Sequence, residues 1–207
     1  MLVNLTVKEF LKKTAGSDPV PGGGSISALN GALAAALAEM VANLTLGKKR
    51  YEEREPLMRS IADEAALLQS SFIRDIDADS EAYNRVFEAF KLPKESDEDK
   101  VERSRQIEAA TKIATEIPLE VARKTCGMME LLSQVALEGN QNAVTDASVG
   151  MMCARNAVLG AILNVRINLV SLKDQEYVAQ VTKEVEQLEK EAVAKEQALL
   201  AKVKEML

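Results

Sequence analysis

Position 79 holds an aspartate where the helical spacing demands an apolar side chain. Ile61, Ala65, Leu68, Phe72 and Ile76, then Tyr83, Phe87 and Phe90, recur at helical steps, and Asp79 fills the gap in that seam. A carboxylate among aromatics and aliphatics must be paired, wet or protonated. Its chemistry is either that of a structural ion pair or that of an active-site acid–base group, because perturbed carboxyls concentrate in clefts that do work. A second feature is the run Pro21-Gly22-Gly23-Gly24-Ser25 ahead of an alanine-rich helix. Backbone without Cβ lets a ligand approach closely, and a helix start offers unpaired N–H groups, so the run reads as a cradle for an anion or polar heteroatom, or as a plain connector. A third is one helical face carrying Asp146, Gly150, Ala154, Ala157, Ala161, Asn164 and Asn168. Amides on a packed face need partners: each other, another subunit or a polar ligand. Asp146 has a competing role as a helix N-cap.

Two further clusters carry polar chemistry. Lys48, Lys49 and Arg50 follow the alanine-rich helix, where cations favour the helix C-terminus. Their functional reading is an anchor for a carboxylate tail or a proton donor. Gly139-Asn140-Gln141-Asn142 offers amides suited to a planar heterocycle with alternating donors and acceptors.

The composition removes many alternatives. There is no histidine, which excludes Ser-His-Asp, Cys-His and histidine-based zinc chemistry. The two cysteines, Cys126 and Cys153, sit in apolar helical contexts and read as reduced core thiols rather than metal ligands. No P-loop occurs, and the glycine run follows a helix rather than a strand, so it is not a dinucleotide fingerprint. A net charge of −6 argues against general nucleic-acid affinity. The start of the chain lacks a signal-peptide pattern, and the most apolar stretches, 28–46 and 157–172, are interrupted by Glu39 and Arg166, so a cytoplasmic, membrane-free protein is expected.

The elements that must position these residues are helical throughout. Thr6-Val7-Lys8-Glu9 is a capping box for a short helix to about Ala15. Ser25 is the expected N-cap of a helix to Leu46, with Gly47 as its stop. Pro56 opens a long helix to Phe90, and Ser96 starts another that Pro118 should kink or divide before Gly139. Two more follow, from Asp146 to Leu172 and from Asp174 onward. No stretch alternates like a strand. The expectation is an all-α, antiparallel bundle of six to seven helices in a single domain, residues 1–207, forming a dimer. Gly31, Ala35, Ala38 and Ala42 form a second small-residue seam for close packing within the bundle or between subunits.

Taken in order, several runs resemble the cyclodeaminase/cyclohydrolase family of folate one-carbon metabolism. They are Pro21-Gly22-Gly23-Gly24-Ser25, Met40 to Thr45 with Gly47-Lys48-Lys49 and Tyr51, Asp79 with Ala82-Tyr83, and Leu92-Pro93-Lys94. Pro118-Leu119, Gly139-Asn140 with Asn142, Thr145-Asp146-Ala147 and Asn164-Val165 with Ile167-Asn168-Leu169 complete the set. Thr145 stands where that family commonly has serine, which preserves the hydroxyl. The resemblance implies hydrolysis of 5,10-methenyl-tetrahydrofolate to the 10-formyl compound or, alternatively, closure of 5-formimidoyl-tetrahydrofolate with release of ammonia. A chain of this length, without a fused transferase, looks more like the short cyclohydrolases. A non-catalytic folate-binding or scaffolding dimer is the remaining alternative. Carried onto this sequence, the resemblance makes Asp79 the base or cation stabiliser, Lys48 or Lys49 the proton donor or tail anchor, and Asp146 a second acidic group. It makes Pro21, Gly22, Gly23, Gly24, Ser25, Asn43, Tyr51, Asn140, Asn142, Asn164 and Asn168 the substrate-binding set. It implies no cofactor beyond the tetrahydrofolate substrate, no metal, and a homodimer as the working form.

Overall fold

The computed structural model describes residues 1–207 and contains six α-helices: α1 (Val7–Thr14), α2 (Gly23–Thr45), α3 (Glu55–Phe90), α4 (Asp97–Glu138), α5 (Val144–Leu169) and α6 (Gln175–Met206). Short 3-10 turns at Leu2–Asn4, Lys49–Arg54 and Gln141–Ala143 complete the chain. The caps explain several boundaries. Thr6 and Glu9 form the expected box on α1, Ser96 and Asp99 form one on α4, and the Asp174 side chain accepts from the Tyr177 N–H to start α6.

α2, α3, α4 and α5 form a ring in which each helix runs antiparallel to its neighbours. Cross-helix pairs fix the register: Gly31 lies against Phe72, Lys124 against Ser71 and Asp75, Gly150 against Leu132, and Gly160 against Ser27. A Cβ at Gly31 would fall 2.9 Å from the Phe72 ring, and one at Gly150 would fall 2.7 Å from Leu132. The small-residue seams thus serve helix packing within the chain. α6 lies along α4 and α5, burying Val181, Val185, Ala192, Leu199 and Val203. Arg123 grips Glu184 through two guanidinium nitrogens, and Arg166–Glu189 ties α5 to the same helix. One continuous apolar core runs from Leu2 to Val203. Cys126 is buried within it, and burial pushes its thiol up to about 11, which leaves it protonated and inert.

The structure departs from expectation in several places, among them α5, which runs Val144–Leu169 rather than from Asp146 to Leu172. α2 begins at Gly23 with Gly22 as N-cap, three residues before the expected N-cap Ser25. Ser25 is fully buried, and its hydroxyl reaches across to α3 instead of capping its own helix. α4 runs unbroken through Pro118. Pro118 has no N–H, so the Ala114 carbonyl loses its helical partner, and the Asn168 side-chain amide of α5 supplies a replacement at 2.9 Å. The bundle accommodates the proline by satisfying that carbonyl from a neighbouring helix.

Candidate functional site

A cavity of about 310 Å³ opens at the end of the bundle where α2 begins. Its walls come from the loop Pro19–Val20, the Gly22–Gly24 backbone, Asp79, Tyr83 and Val86 of α3, Ala114 of α4, and Asn164, Ile167 and Asn168 of α5. Gly22 offers no capping side chain to α2. The Asp79 carboxyl, brought in by α3, occupies that helix start instead, resting on Gly24 and bonded to Ser25. Burial raises the Asp79 pKa above the ordinary aspartate range, and the Ser25 hydroxyl and backbone N–H oppose that rise without cancelling it. No charged group among the wall residues offsets the desolvation.

Hydrogen-bond arithmetic around Ser25 shows how this carboxyl stays partnered. Ser25 Oγ lies 2.9 Å from both Asp79 Oδ2 and the Ile76 carbonyl, and 3.1 Å from Ser80 Oγ. Its one proton can serve the ionised carboxylate. When Asp79 carries its own proton, that proton can be donated to Ser25, whose hydroxyl then turns to Ile76. Ser25→Ala is therefore expected to move the acid limb of the rate–pH profile to higher pH, because a bond to the anion is lost. A pH titration of kcat/KM checks this.

The two asparagines have fixed orientations. Asn168 Nδ2 donates to the Ala114 carbonyl at 2.9 Å, and Asn164 Nδ2 donates to the Gly160 carbonyl at 2.8 Å. A carbonyl only accepts, so each amide turns one N–H to the helix and leaves its oxygen and a second N–H for other partners. With Asp79, the two amide oxygens give the cavity three acceptor side chains, beside the two-way Tyr83 hydroxyl and the remaining amide N–H groups. Such a lining suits a ligand rich in N–H groups or carrying positive charge.

The structure thus brings together Gly22, Gly23, Gly24, Asp79, Asn164 and Asn168 in the cavity wall, flanked in the chain by Pro21 and Ser25, both buried. It places Asn43, Lys48, Lys49, Tyr51, Asn140, Asn142 and Asp146 at the opposite end of the bundle, about 30 Å away along α2. There Lys48 and Lys49 are exposed and line a shallow polar depression with Gly47, Glu52 and Glu55. Tyr51 accepts from the Gln141 N–H at 3.1 Å. Asn140 is engaged on every side: its N–H meets Thr45, its Nδ2 meets Leu44, and its Oδ1 receives the Asn142 N–H. Asp146 lies half-buried in the first turn of α5, without capping it. Pro19, Val20, Tyr83, Val86, Ala114 and Ile167 also line the cavity, outside the expected site set. Tyr83 and Ile167 stood in the motif runs, whereas Ala114 has only Pro118, four residues on, as a sequence signal.

Comparisons with known proteins match nearly the whole chain. The profile of a family described as formiminotransferase-cyclodeaminase matches residues 6–187. A methenyltetrahydrofolate cyclohydrolase of Methylorubrum extorquens is 38% identical over 204 residues, covering 99% of this chain and 98% of that protein. A formimidoyltransferase-cyclodeaminase of Gallus gallus is 32% identical over 92% of this chain, which spans only 35% of that relative's length. The crystal structure of a formiminotetrahydrofolate cyclodeaminase from Thermotoga maritima superposes with a TM-score of 0.89 at 29% identity, covering 100% of this chain and 99% of that one.

Proposed function

Because the chain belongs to the formiminotransferase-cyclodeaminase family, we propose that it hydrolyses 5,10-methenyl-tetrahydrofolate to 10-formyl-tetrahydrofolate. The observation that carries this reading is a desolvated carboxyl in a cavity whose amides present acceptor oxygens. The methenyl carbon is an amidinium-like cation, already electrophilic. Asp79 takes one proton from a water molecule as its oxygen bonds to that carbon, giving a neutral carbinolamine. The bond to the pterin nitrogen N5 then breaks. N5 keeps the electron pair and takes the proton held by Asp79, and the carbinol hydroxyl loses its own proton to solvent as the formyl C=O forms. The Asn164 and Asn168 oxygens accept from the N–H edge of the pterin, and the Gly22–Gly24 backbone lies against its face. Positioned acid–base groups of this kind supply about 10²–10⁴-fold.

The second reading is cyclodeamination of 5-formimidoyl-tetrahydrofolate, favoured by the full-length likeness to the Thermotoga enzyme. Parallel assays separate the two. Loss of methenyl absorbance without ammonia release is the expected result. Ammonia release from the formimidoyl substrate alone would assign the deaminase, and turnover of neither would defeat both.

The working form in this proposal is a homodimer with shared sites. α2 exposes Leu33, Met40 and Leu44, and its antiparallel neighbour α5 exposes Val149, Met152, Leu163 and Ile167, so the two present one apolar face. A second copy seated on that face about a two-fold axis across the helices would bring its Lys48, Lys49 and Asp146 end over the Asp79 cavity. This would supply the cation that the cavity wall lacks for an anionic glutamate tail. Mixing inactive Asp79→Asn subunits with inactive Asp146→Asn subunits should then recover about a quarter of wild-type activity, since half of randomly paired dimers hold one intact site. A dead mixture, with subunit exchange verified, would show that no site is shared.

A further inference from the structure

Pro118 is buried, is not among the residues that line the cavity, and sits where a helix ordinarily rejects proline. Its effect is felt one turn earlier, at Ala114, which lines the cavity and whose carbonyl is left without the N–H of residue 118. Asn168 Nδ2, from 54 residues further along the chain, fills that vacancy at 2.9 Å. Asn168 is thereby locked with its amide nitrogen on α4 and its oxygen free.

Resting on the reading of Asn168 as a substrate ligand, we infer that Pro118 is a positioning residue: by freeing the Ala114 carbonyl it sets which end of the Asn168 amide meets the substrate. An ordinary residue at 118 returns an N–H to that carbonyl and draws it back along the helix axis. Asn168 then loses its fixed partner, and its amide can present NH2 or oxygen to the cavity. Position 168 ceases to be a fixed acceptor, and an N–H-rich ring edge meets a mismatched donor in part of the population.

The test is Pro118→Ala in the full-length protein, with Pro118→Ser, which also restores the N–H, as the second variant. KM for 5,10-methenyl-tetrahydrofolate should rise about ten-fold with a smaller change in kcat, while the unfolding temperature holds or rises, because alanine is the better helix former. A residue serving the fold alone would give the opposite pattern, lost stability with an unchanged KM. Asn168→Ala should raise KM by a similar factor, and the double variant should be no worse than either single one. In the free protein, the Asn168 side-chain NH2 protons should exchange slowly in the wild type and quickly in Pro118→Ala, an outcome that does not depend on turnover. A raised KM in Asn168→Ala with an unchanged KM and unchanged NH2 exchange in Pro118→Ala would overturn the role of Pro118 alone. A wild-type KM in Asn168→Ala would remove Asn168 from the substrate site, and the role of Pro118 would fall with it.

Discussion

Asp79→Asn is expected to lower turnover by about 10²–10⁴-fold while the protein stays folded and still binds folate. The amide matches the carboxyl in shape and can still meet Ser25 Oγ, which lies 2.9 Å from Asp79 Oδ2. What it cannot do is take a proton from water. Burial disfavours the ionised carboxylate more than the Ser25 contacts favour it, so the folded-state pKa lies above the unfolded one. Between those two values the folded state binds the extra proton, and stability falls as pH rises through that window; above it, the cost of holding a desolvated charge is fully present. Asp79→Asn removes that cost. Its unfolding temperature at neutral pH should therefore equal or exceed that of the wild type, and the pH dependence within the window should flatten. In the wild type, kcat/KM should fall as pH drops through the raised pKa, at a higher pH than an ordinary aspartate would give. Calorimetry and a pH–rate profile measure both. Unchanged turnover in Asp79→Asn would take Asp79 out of the chemistry, and a collapse in stability would make it a structural group.

The way these residues became legible differs from one to the next. Asp79 was visible because period 3.6 leaves no room for a charge in the middle of an apolar seam, and a local pattern suffices to see that. Asn164 and Asn168 showed themselves the same way, as amides on a packed face. The glycine run announced close approach but not what approaches. Only the fold shows that the Asp79 carboxyl rests on Gly24. Ser25 reads in sequence as a helix cap, because a serine ahead of an alanine-rich run ordinarily caps it. Tertiary contact with α3 gave its hydroxyl better acceptors and moved the helix start to Gly23. Pro118 reads as a break for a similar reason: the sequence shows the missing donor, while the replacement donor lies on another helix. The order of motifs also hides distance. Asp146 and Asn164 share a face of one helix, yet they lie at its opposite ends, so a common face did not mean a common cavity.

Gly24→Ala should cost about 10²-fold in kcat although intrinsic helix preference favours it by about 1 kcal/mol. Gly24 occupies the first turn of α2, where a methyl group is welcome on backbone grounds. A Cβ at this position, however, would lie 2.5 Å from Asp79 Cγ and 2.8 Å from Oδ2, and closer still to Oδ1. Real Cβ contacts of that kind do not persist, so the carboxyl must swing away from Ser25 and from the helix start. A displacement of about 1 Å in a reacting group is enough for a loss of this size. Gly23→Ala provides the graded comparison. Its Cβ would fall 3.0 Å from Asn164 Nδ2 at the far end of a flexible side chain. That amide can yield by a few tenths of an ångström, so the expected change is a modest rise in KM with kcat nearly kept. The ordering of the two variants follows from what each methyl group meets: a carboxyl that must sit still, or an amide that can move. Equal losses in the two would mean that the whole glycine turn is being distorted, and full activity in Gly24→Ala would mean that the chemistry does not depend on where Asp79 rests.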